Sequence, residues 1–184
     1  SMKLAVLSLG MLLAFSAAAG QIVPPEQMTF KASDNGSDTK AFVQEIKGDE
    51  LVINFTDQTK ADNYLHIDCG PIDLSGYLPG GYIDLDLEID NPILRVAGVI
   101  TDPTRFWPDR IIFTGEAKIV KGRKHYRLYL DWVPEARAKG GKDHLYLFLH
   151  DMGGDARGTA KLTFHKSKLV KTVPDWRNEK IACY

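Results

Sequence analysis

Residues 83–90 read I-D-L-D-L-E-I-D, an alternation of apolar and acidic side chains that decides the fold. Successive side chains of a β-strand point to opposite faces, so the isoleucines and leucines share one face and the carboxylates share the other. A strand of this kind covers an apolar core on one side only, which is typical of antiparallel sandwiches. Its acidic side then faces water, a cation, a basic partner or a glycosidic bond.

Strand-like runs recur along the rest of the chain, and no window shows apolar residues at helical spacing. Turn sequences separate these runs, among them Pro79-Gly80-Gly81, Asn91-Pro92 and Gly140-Gly141. Roughly eight to eleven short strands in one domain indicate an all-β protein, and we predict a two-sheet antiparallel β-sandwich of jelly-roll type.

Residues 2–20 have the features of a secretion signal. Lys3 precedes an apolar stretch, and the segment ends in the small residues S-A-A-A-G. The stretch is shorter than the ~20 apolar residues that span a bilayer, so we predict a cleaved signal peptide, no membrane span, and a secreted or periplasmic protein. The rest of the chain is predicted to form one β-sandwich domain over residues 21–173 and a C-terminal tail over residues 174–184.

Composition limits the partners and the covalent chemistry. The formal net charge is −1, so the chain has no positive field to hold nucleic acid, and we predict no nucleic-acid partner. The chain has two cysteines, and exported chains with two cysteines commonly pair them. We therefore predict a disulfide between Cys69 and Cys183, with a buried Cys69 and a free Cys183 as the open alternative.

The order of motifs after Ile72 resembles a known group of domains. The chain reads I-D-L-S-G-Y, then the alternating strand, an Asn91-Pro92 turn, a strand ending V-I-T-D at Asp102, and strand pairs separated by glycine-containing loops. This order resembles the galactose-binding-like jelly-roll sandwiches that serve as carbohydrate-binding modules or accessory domains, and the resemblance extends over residues 50–170. It implies a non-catalytic domain that binds a polysaccharide or oligosaccharide alongside a larger carbohydrate-active enzyme.

Modules of this group often hold a structural calcium near the end of the final strand. The comparable stretch here, residues 162–165, contains no acid, so the resemblance does not supply this site. Calcium takes 6–8 oxygen ligands, and Asp151 and Asp155 with the glycines between them offer some of these from a loop. A solvated glycine-rich turn is the alternative, and no other cofactor is predicted.

The acidic face of residues 83–90 also resembles a catalytic signature. Asp84, Asp86 and Glu88 look like the E-x-D-x-E array of family 16 glycoside hydrolases, in which the first Glu is the nucleophile and the last Glu is the acid/base. Asp84 stands in the nucleophile position and is one methylene shorter, and no tryptophan-rich cleft accompanies the array. We therefore interpret the chain as non-catalytic, with a jelly-roll glycan-cleaving hydrolase or lyase as an alternative.

Two later strands indicate a binding face instead. In residues 144–150 the leucines suit the core, which leaves Tyr146 and Phe148 on the other side. In residues 124–132 the alternate positions up to Trp132 suit the core, and the intervening positions are polar or aromatic. If the two strands are neighbours, their shared outer face combines aromatic rings with guanidinium and imidazole groups.

Sugars bind surfaces of this composition, because their C–H faces stack on rings and their oxygens accept hydrogen bonds from arginine. The predicted ligand-binding residues are Arg95, Arg127, Tyr129, Tyr146, Phe148 and Trp107, the last in a proline-bounded loop. Two alternatives stay open. In the first alternative, a loop or second layer covers Tyr146 and Phe148. In the second, the chain is a structural or protein-binding module whose acidic strand meets a basic partner.

Overall fold

The computed structural model describes residues 29–32, 42–48, 50–55, 64–151, 159–172 and 179–184, and these form twelve strands with short helical turns between them. The strands are β1 (Thr29–Ala32), β2 (Phe42–Lys47), β3 (Glu50–Phe55), β4 (Tyr64–Asp68), β5 (Tyr82–Ile89), β6 (Leu94–Thr101), β7 (Ile111–Ile112), β8 (Ala117–Lys118), β9 (Gly122–Tyr129), β10 (His144–Asp151), β11 (Ala160–Val170) and β12 (Ile181–Cys183). The helical turns are α1 (Phe106–Asp109) and the 3-10 helices Ser75–Tyr77, Pro103–Arg105, Leu130–Trp132 and Glu135–Arg137.

The strands form two antiparallel sheets. Sheet A has the order β12-β9-β5-β11-β3-β2, and sheet B has the order β1-β4-β10-β6-β7, with β8 also paired to β6. Most neighbours within each sheet are distant in sequence, as the crossing connections of a jelly roll require. The predicted all-β, two-sheet sandwich is therefore confirmed.

The core lies between the inner faces of the two sheets. In sheet A, the aliphatic residues of β5 are completely or almost completely buried, as the alternation of residues 83–90 predicts. In sheet B, the leucines of β10 face them from the other side of the same cluster. The residues concerned are Ile83, Leu85, Leu87 and Ile89 of β5 and Leu145, Leu147 and Leu149 of β10.

The inner face of β6 contains a glycine that makes room for an aromatic ring. A Cβ at Gly98 would lie 2.4 Å from the Cζ atom of Phe113, closer than real carbon atoms approach. The amide of Phe113 also donates a hydrogen bond of 3.1 Å to the Gly98 carbonyl. The glycine thus lets Phe113, which follows β7, fold back over β6 and close the core.

The outer edge of β6 is divided between two very short strands. β7 pairs with Val99 and Ile100, and β8 pairs with Arg95 and Val96 further along the same strand. Between them the chain turns through Gly115, whose φ of +68° favours glycine. Sheet B therefore ends here in two separate pieces of two residues each.

The end of the chain packs on the sandwich. Within the predicted C-terminal tail, residues 174–184, strand β12 pairs with β9 and forms an edge of sheet A. The predicted signal peptide lies outside the described residues. Within those residues, no helix is long and apolar enough to cross a membrane.

The predicted disulfide between Cys69 and Cys183 is absent, because both thiols are free. Cys69 directly follows β4 in sheet B, whereas Cys183 lies in β12 of sheet A. Packed sheets lie ~10 Å apart, and a disulfide needs Cα atoms within ~7 Å. Burial, and to a lesser degree the charge of Asp68, raises the pKa of the Cys69 thiol far above its ordinary value. Cys69 is therefore a small apolar core residue.

Replacing Leu85 with alanine is expected to lower the free energy of unfolding by about 2–5 kcal/mol, because it opens a cavity in a packed core. Leu85 is fully buried in β5. Urea unfolding measures the change. Val43→Ala is the control, since Val43 is 56% exposed on the edge strand β2. The control should change the free energy by less than about 0.5 kcal/mol, and equal losses in both variants would contradict the prediction.

Candidate functional site

The residues predicted to share one binding face lie on two opposite faces of the sandwich. β9 belongs to sheet A and β10 to sheet B, so the two strands are not neighbours. Arg127 and Tyr129 are therefore separated by the core from Tyr146 and Phe148. The expected adjacency is wrong because antiparallel partners are set by long-range packing, which the local alternation of a strand does not specify.

The outer face of sheet B is covered by aromatic side chains. Tyr146 and Phe148 are only 6% and 3% exposed, and Phe106 from α1 packs over both of them. The ring of His66 stacks on both Phe148 and Phe106, with centroid distances of 4.3 and 4.8 Å. Trp107 packs edge-on against His66 and Phe148. This second layer leaves Tyr146 and Phe148 little surface for a ligand.

Residues 103–109 provide this cover, and we call them the flap. The side chain of Arg137 holds the flap in place through hydrogen bonds. Arg137 donates from Nη1 to the Asp109 carbonyl at 2.9 Å, and from Nη2 to the carboxylates of both Asp109 and Asp143. The Asp109 carboxylate also accepts from the Asp102 amide at 3.0 Å, and the Thr101 hydroxyl donates to the Phe106 carbonyl at 2.9 Å. The flap is thus held to the end of β6 by Thr101 and to the 3-10 helix Glu135–Arg137 by Arg137.

Arg95 stands apart from both groups of aromatic residues named in the sequence analysis. It lies on β6 of sheet B, partly exposed, with its guanidinium 3.6 Å from the Glu116 carboxylate. Its register partners are His150 of β10 and Lys118 of β8. Arg95 therefore belongs to the face opposite Arg127.

The outer face of sheet A includes the acidic side of β5, and an arginine and two histidines from the neighbouring strands contact it. His125 Nδ1 lies 2.7 Å from an Asp84 oxygen, and both donors of the Arg123 fork reach Asp86 at 2.9 and 3.0 Å. Glu88 lies 2.9 Å from Nε2 of His165, whose Nδ1 contacts Glu50 at 2.8 Å. The acidic face thus meets a basic partner within its own sheet. We call Asp84, Asp86 and Glu88 the carboxylate row.

The charges in this row have a clear electrostatic consequence. The hydrogen bonds from Arg123 lower the pKa of Asp86, and the positive charges of Arg123, His125 and His165 act in the same direction against the effect of burial. Asp86 is therefore ionised at neutral pH and does not serve as a proton donor.

Beyond the carboxylate row, the same face carries an arginine held between aromatic rings. The guanidinium carbon of Arg127 lies 4.8 Å from the ring centroid of Tyr82 and 4.3 Å from that of Tyr184. Tyr129 packs edge-on against Tyr82 at 5.8 Å, and its hydrogen bond with Tyr184 raises the pKa of Tyr184. We call these four residues, Tyr82, Arg127, Tyr129 and Tyr184, the tyrosine–arginine cluster.

Strand pairing positions this cluster. Tyr82 and Tyr129 are register partners across β5 and β9, and Arg127 lies on the same face of β9 two residues earlier. Tyr184 follows β12 and exchanges two backbone hydrogen bonds with His125, of 2.8 and 2.9 Å. Pairing of the edge strand β12 with β9 therefore places the Tyr184 ring against the guanidinium of Arg127.

A tryptophan and a lysine extend this end of the sheet. Trp132 is 56% exposed, and Lys180 Nζ lies 4.5 Å from its ring centroid. The Lys180 carbonyl accepts a hydrogen bond of 3.1 Å from the Tyr129 amide, which places the pair beside the tyrosine–arginine cluster. Trp132 was expected in the core. It is exposed because the chain leaves strand geometry after Tyr129 and forms a 3-10 helix at Leu130–Trp132.

A cleft of about 360 Å³ opens beside this 3-10 helix. Its polar lining includes Ser75, Asp131, Glu135 and Lys139, and its apolar lining includes Leu78 and Val133. The cleft contains both acidic and basic groups, so its lining alone selects no single charge of ligand.

The structure offers no support for the calcium candidates. Asp155 lies outside the described residues, and Asp151 is described only as the last residue of β10. Across the ranges that the structure describes, no three His, Cys, Asp or Glu side chains are grouped to hold a metal ion.

Three aromatic residues of this surface were not among the predicted ligand-binding residues. Tyr82 was detectable, because it precedes Asp84 by two residues and so shares the outer face of β5. Tyr184 was assigned to the tail and Trp132 to the core, and neither position follows from local alternation. Of the predicted ligand-binding residues, only Arg127 and Tyr129 lie in the tyrosine–arginine cluster.

Comparison with known proteins supports the fold class. No protein-family model matches the chain, and no curated protein matches its sequence. A solved structure of the family 30 carbohydrate-binding module of the cellulosomal cellulase Cel9D-Cel44B of Clostridium thermocellum is similar, with a TM-score of 0.52 and 12% identity. The match covers 83% of this chain and 93% of that module.

Two further solved structures are similar. The structure of PfGH50B matches with a TM-score of 0.55 and 11% identity over 84% of this chain, which spans only 24% of the PfGH50B chain. Another family 30 carbohydrate-binding module matches with a TM-score of 0.50 and 12% identity, covering 77% of this chain and 79% of that one. The chain thus has the β-sandwich fold of carbohydrate-binding modules, as its resemblance in sequence implied.

The lowered pKa of Asp86 predicts a pH-dependent stability. A carboxyl group whose pKa is lower in the folded state than in the unfolded state, where it is ~3.9, stabilises the fold at pH values above the unfolded pKa. This stabilisation is lost as the pH falls from the unfolded pKa through the folded pKa. We expect Asp86→Asn to be less stable than the original protein at pH 5–7, with the gap closing below about pH 4. Thermal unfolding at stepped pH measures the gap. Glu45→Gln, an exposed carboxylate on β2, is the control, and a pH-independent gap for Asp86→Asn would contradict the prediction.

Replacing Arg137 with lysine is expected to loosen the flap, because lysine lacks the fork that bridges Asp109 and Asp143. We expect the free energy of unfolding to fall by about 1–3 kcal/mol and amide exchange at Phe106–Asp109 to accelerate. Hydrogen exchange followed by mass spectrometry measures the second effect. Arg105→Lys, an exposed arginine of the same segment, is the matched control. Unchanged exchange in the Arg137 variant would contradict the prediction and would show that the other contacts of the flap are sufficient to hold it.

Proposed function

We propose that the chain is a non-catalytic carbohydrate-binding module that holds a polysaccharide or oligosaccharide on the outer face of sheet A. The observation that carries this proposal is the tyrosine–arginine cluster, in which Arg127 lies between the rings of Tyr82 and Tyr184. The similarity in fold to family 30 modules supports the same class of function.

The exposed rings at this end of the sheet suit a sugar. Tyr184 is 57% exposed, and Trp132 beside it is exposed to a similar extent. Pyranose C–H faces stack on such rings, and the arginine fork donates hydrogen bonds to ring or hydroxyl oxygens. Because Arg127 is already stacked, it loses little side-chain freedom on binding.

The two outer faces differ in a way that favours sheet A. The flap fills the outer face of sheet B and leaves Tyr146 and Phe148 nearly inaccessible. Sheet A has no comparable aromatic cover among the described residues, and its tyrosine–arginine cluster is open beside Tyr184. Of the residues predicted from sequence, we therefore retain Arg127 as a ligand-binding residue. Tyr129 is only 4% exposed, and we assign it the role of positioning Tyr82 and Tyr184 through its ring contact and its hydrogen bond.

The contacts of the carboxylate row favour binding over catalysis. Asp84, Asp86 and Glu88 each contact a cation or imidazole of a neighbouring strand, and Asp86 is ionised at neutral pH. A retaining glycosidase needs a protonated acid and a nucleophile ~5–5.5 Å from it across the scissile bond. The contacts of the carboxylate row with Arg123, His125 and His165 instead stabilise the pairing of neighbouring strands, so we assign the three carboxylates a structural role.

The proposed location is secreted or periplasmic, supported by the signal-like residues 2–20. The proposed partner is a larger carbohydrate-active enzyme. In PfGH50B the matched region is about a quarter of a longer chain, 24% of its length, which supports the idea that sandwiches of this kind act beside other domains.

Affinity gel electrophoresis over a panel of neutral, carboxylated and sulfated polysaccharides tests the proposal. We expect retention by at least one of them, and a loss of affinity of about tenfold or more for Arg127→Ala and Tyr184→Ala, equivalent to ~1.4 kcal/mol. Both variants remove groups that the proposal places against the sugar.

Arg95→Ala is the matched control, since it removes an arginine from the outer face of the opposite sheet. It should change the affinity by less than about twofold. A loss with Arg95→Ala but not with Arg127→Ala would move the site to sheet B. No retention on any polysaccharide would refute the proposed function.

A further inference from the structure

Arg127 differs from the other arginines of the strands in the groups that surround it. Arg123 makes two hydrogen bonds to Asp86, and Arg95 pairs with Glu116. The contacts of Arg127 are instead the rings of Tyr82 and Tyr184 and a hydrogen bond with Tyr129. Within the described ranges, no carboxylate forms an ion pair with its guanidinium.

The missing ion pair has a visible cause. Asp84 is the register partner of Arg127 across β5 and β9, so a cross-strand pair between them would be ordinary. The Asp84 carboxylate turns instead to His125, whose Nδ1 lies 2.7 Å away. Asp84, the carboxylate nearest to Arg127 in register, therefore contacts His125 instead. The guanidinium of Arg127 contacts only tyrosine side chains among the groups described for it.

Two lysines add positive charge on either side. Lys168 of β11 is the other register partner of Asp84, so its backbone lies two strand spacings, ~10 Å, from that of Arg127. Lys180 lies over Trp132 next to the cluster. Within the described part of the chain, neither lysine forms an ion pair with a carboxylate, and Lys168 is exposed.

The geometry of Arg127 suits an anion with two or more oxygens. A guanidinium presents parallel N–H donors that match a carboxylate or a sulfate, and stacked rings keep this fork from turning away. Asp84 and Tyr184 border the position that such a group would take. The negative charge of Asp84 opposes an anion at this position. The Asp84 carboxylate is directed toward the imidazole of His125.

We propose that the tyrosine–arginine cluster binds a negatively charged sugar unit, with Arg127 receiving its carboxylate or sulfate group while an exposed ring beside it stacks on the sugar. The inference rests on the proposed function of the chain as a carbohydrate-binding module. It assigns the ligand to the anionic polysaccharides, those that contain uronic acids or sulfate esters. Lys168 and Lys180 add attraction for charges further along the same polymer.

Isothermal titration with paired polymers tests the inference. One pair is a polyuronate and its carboxyl-reduced form, and the other is a sulfated polysaccharide and its desulfated form. We expect the protein to bind one anionic member at least about tenfold more tightly than its neutral partner, a difference of ~1.4 kcal/mol. The pair that shows this difference identifies the group as carboxylate or sulfate. Raising the salt concentration should reduce the difference.

Variants connect the charge preference to Arg127. Arg127→Gln should abolish the preference for the anionic member, and Arg127→Lys, which keeps the charge but loses the fork, should retain part of it. Asp84→Asn should strengthen anionic binding, because it removes the opposing charge. Arg95→Gln, on the opposite sheet, should leave the preference unchanged. Circular dichroism establishes that each variant is folded.

Equal affinity for the charged and neutral members of both pairs would overturn the inference while leaving the proposed function intact. A charge preference that survives Arg127→Gln and Arg127→Lys unchanged would overturn it as well. Absence of binding to all four polymers and to the wider polysaccharide panel would overturn both this inference and the proposed function.

Discussion

The two-faced strand β5 is the constraint on which the rest of the sandwich depends. Its aliphatic side is fully buried, and its acidic side places Asp84, Asp86 and Glu88 along one face. Three carboxylates in a row on one strand would repel one another, so neighbouring strands must supply the compensating groups. β9 provides Arg123 and His125, and β11 provides His165, which fixes β5 between these two strands. Core packing and surface charge therefore specify the same strand order in sheet A.

The same arrangement limits where the proposed ligand could be placed. In the middle of sheet A, the carboxylates of β5 are paired with side chains of the neighbouring strands. On sheet B, the flap covers the outer face. Among the described residues, the end of sheet A around Tyr184 combines exposed rings with an arginine that forms no ion pair with a carboxylate. This site depends on β12, because pairing of that edge strand with β9 brings Tyr184 over Arg127. A short edge strand therefore contributes more to the proposed site than to the core.

The sequence predicted the features that depend on neighbouring residues. Alternation identified the buried side of β5 and the core-facing leucines of β10, and it placed Arg127 and Tyr129 on an outer face. It did not reveal that the flap also buries the other side of β10. It did not predict that β9 and β10 lie in different sheets, because strand pairing depends on contacts between distant residues. Trp132 was misplaced because alternation fails once the chain enters a 3-10 helix. Tyr184 was overlooked because only its pairing partner, His125, reveals where it lies.

The divided edge of sheet B affects how this molecule behaves in a crowded solution. An exposed sheet edge is a template onto which another chain can add a strand, and long flat edges lead to aggregation. Here the β6 edge offers only β7 and β8, two residues each, separated by the turn at Gly115. At the far edge of sheet A, β2 is longer but displays the exposed charges of Glu45 and Lys47. Neither of these two edges presents the long, uncharged ladder that favours pairing with a strand of another molecule.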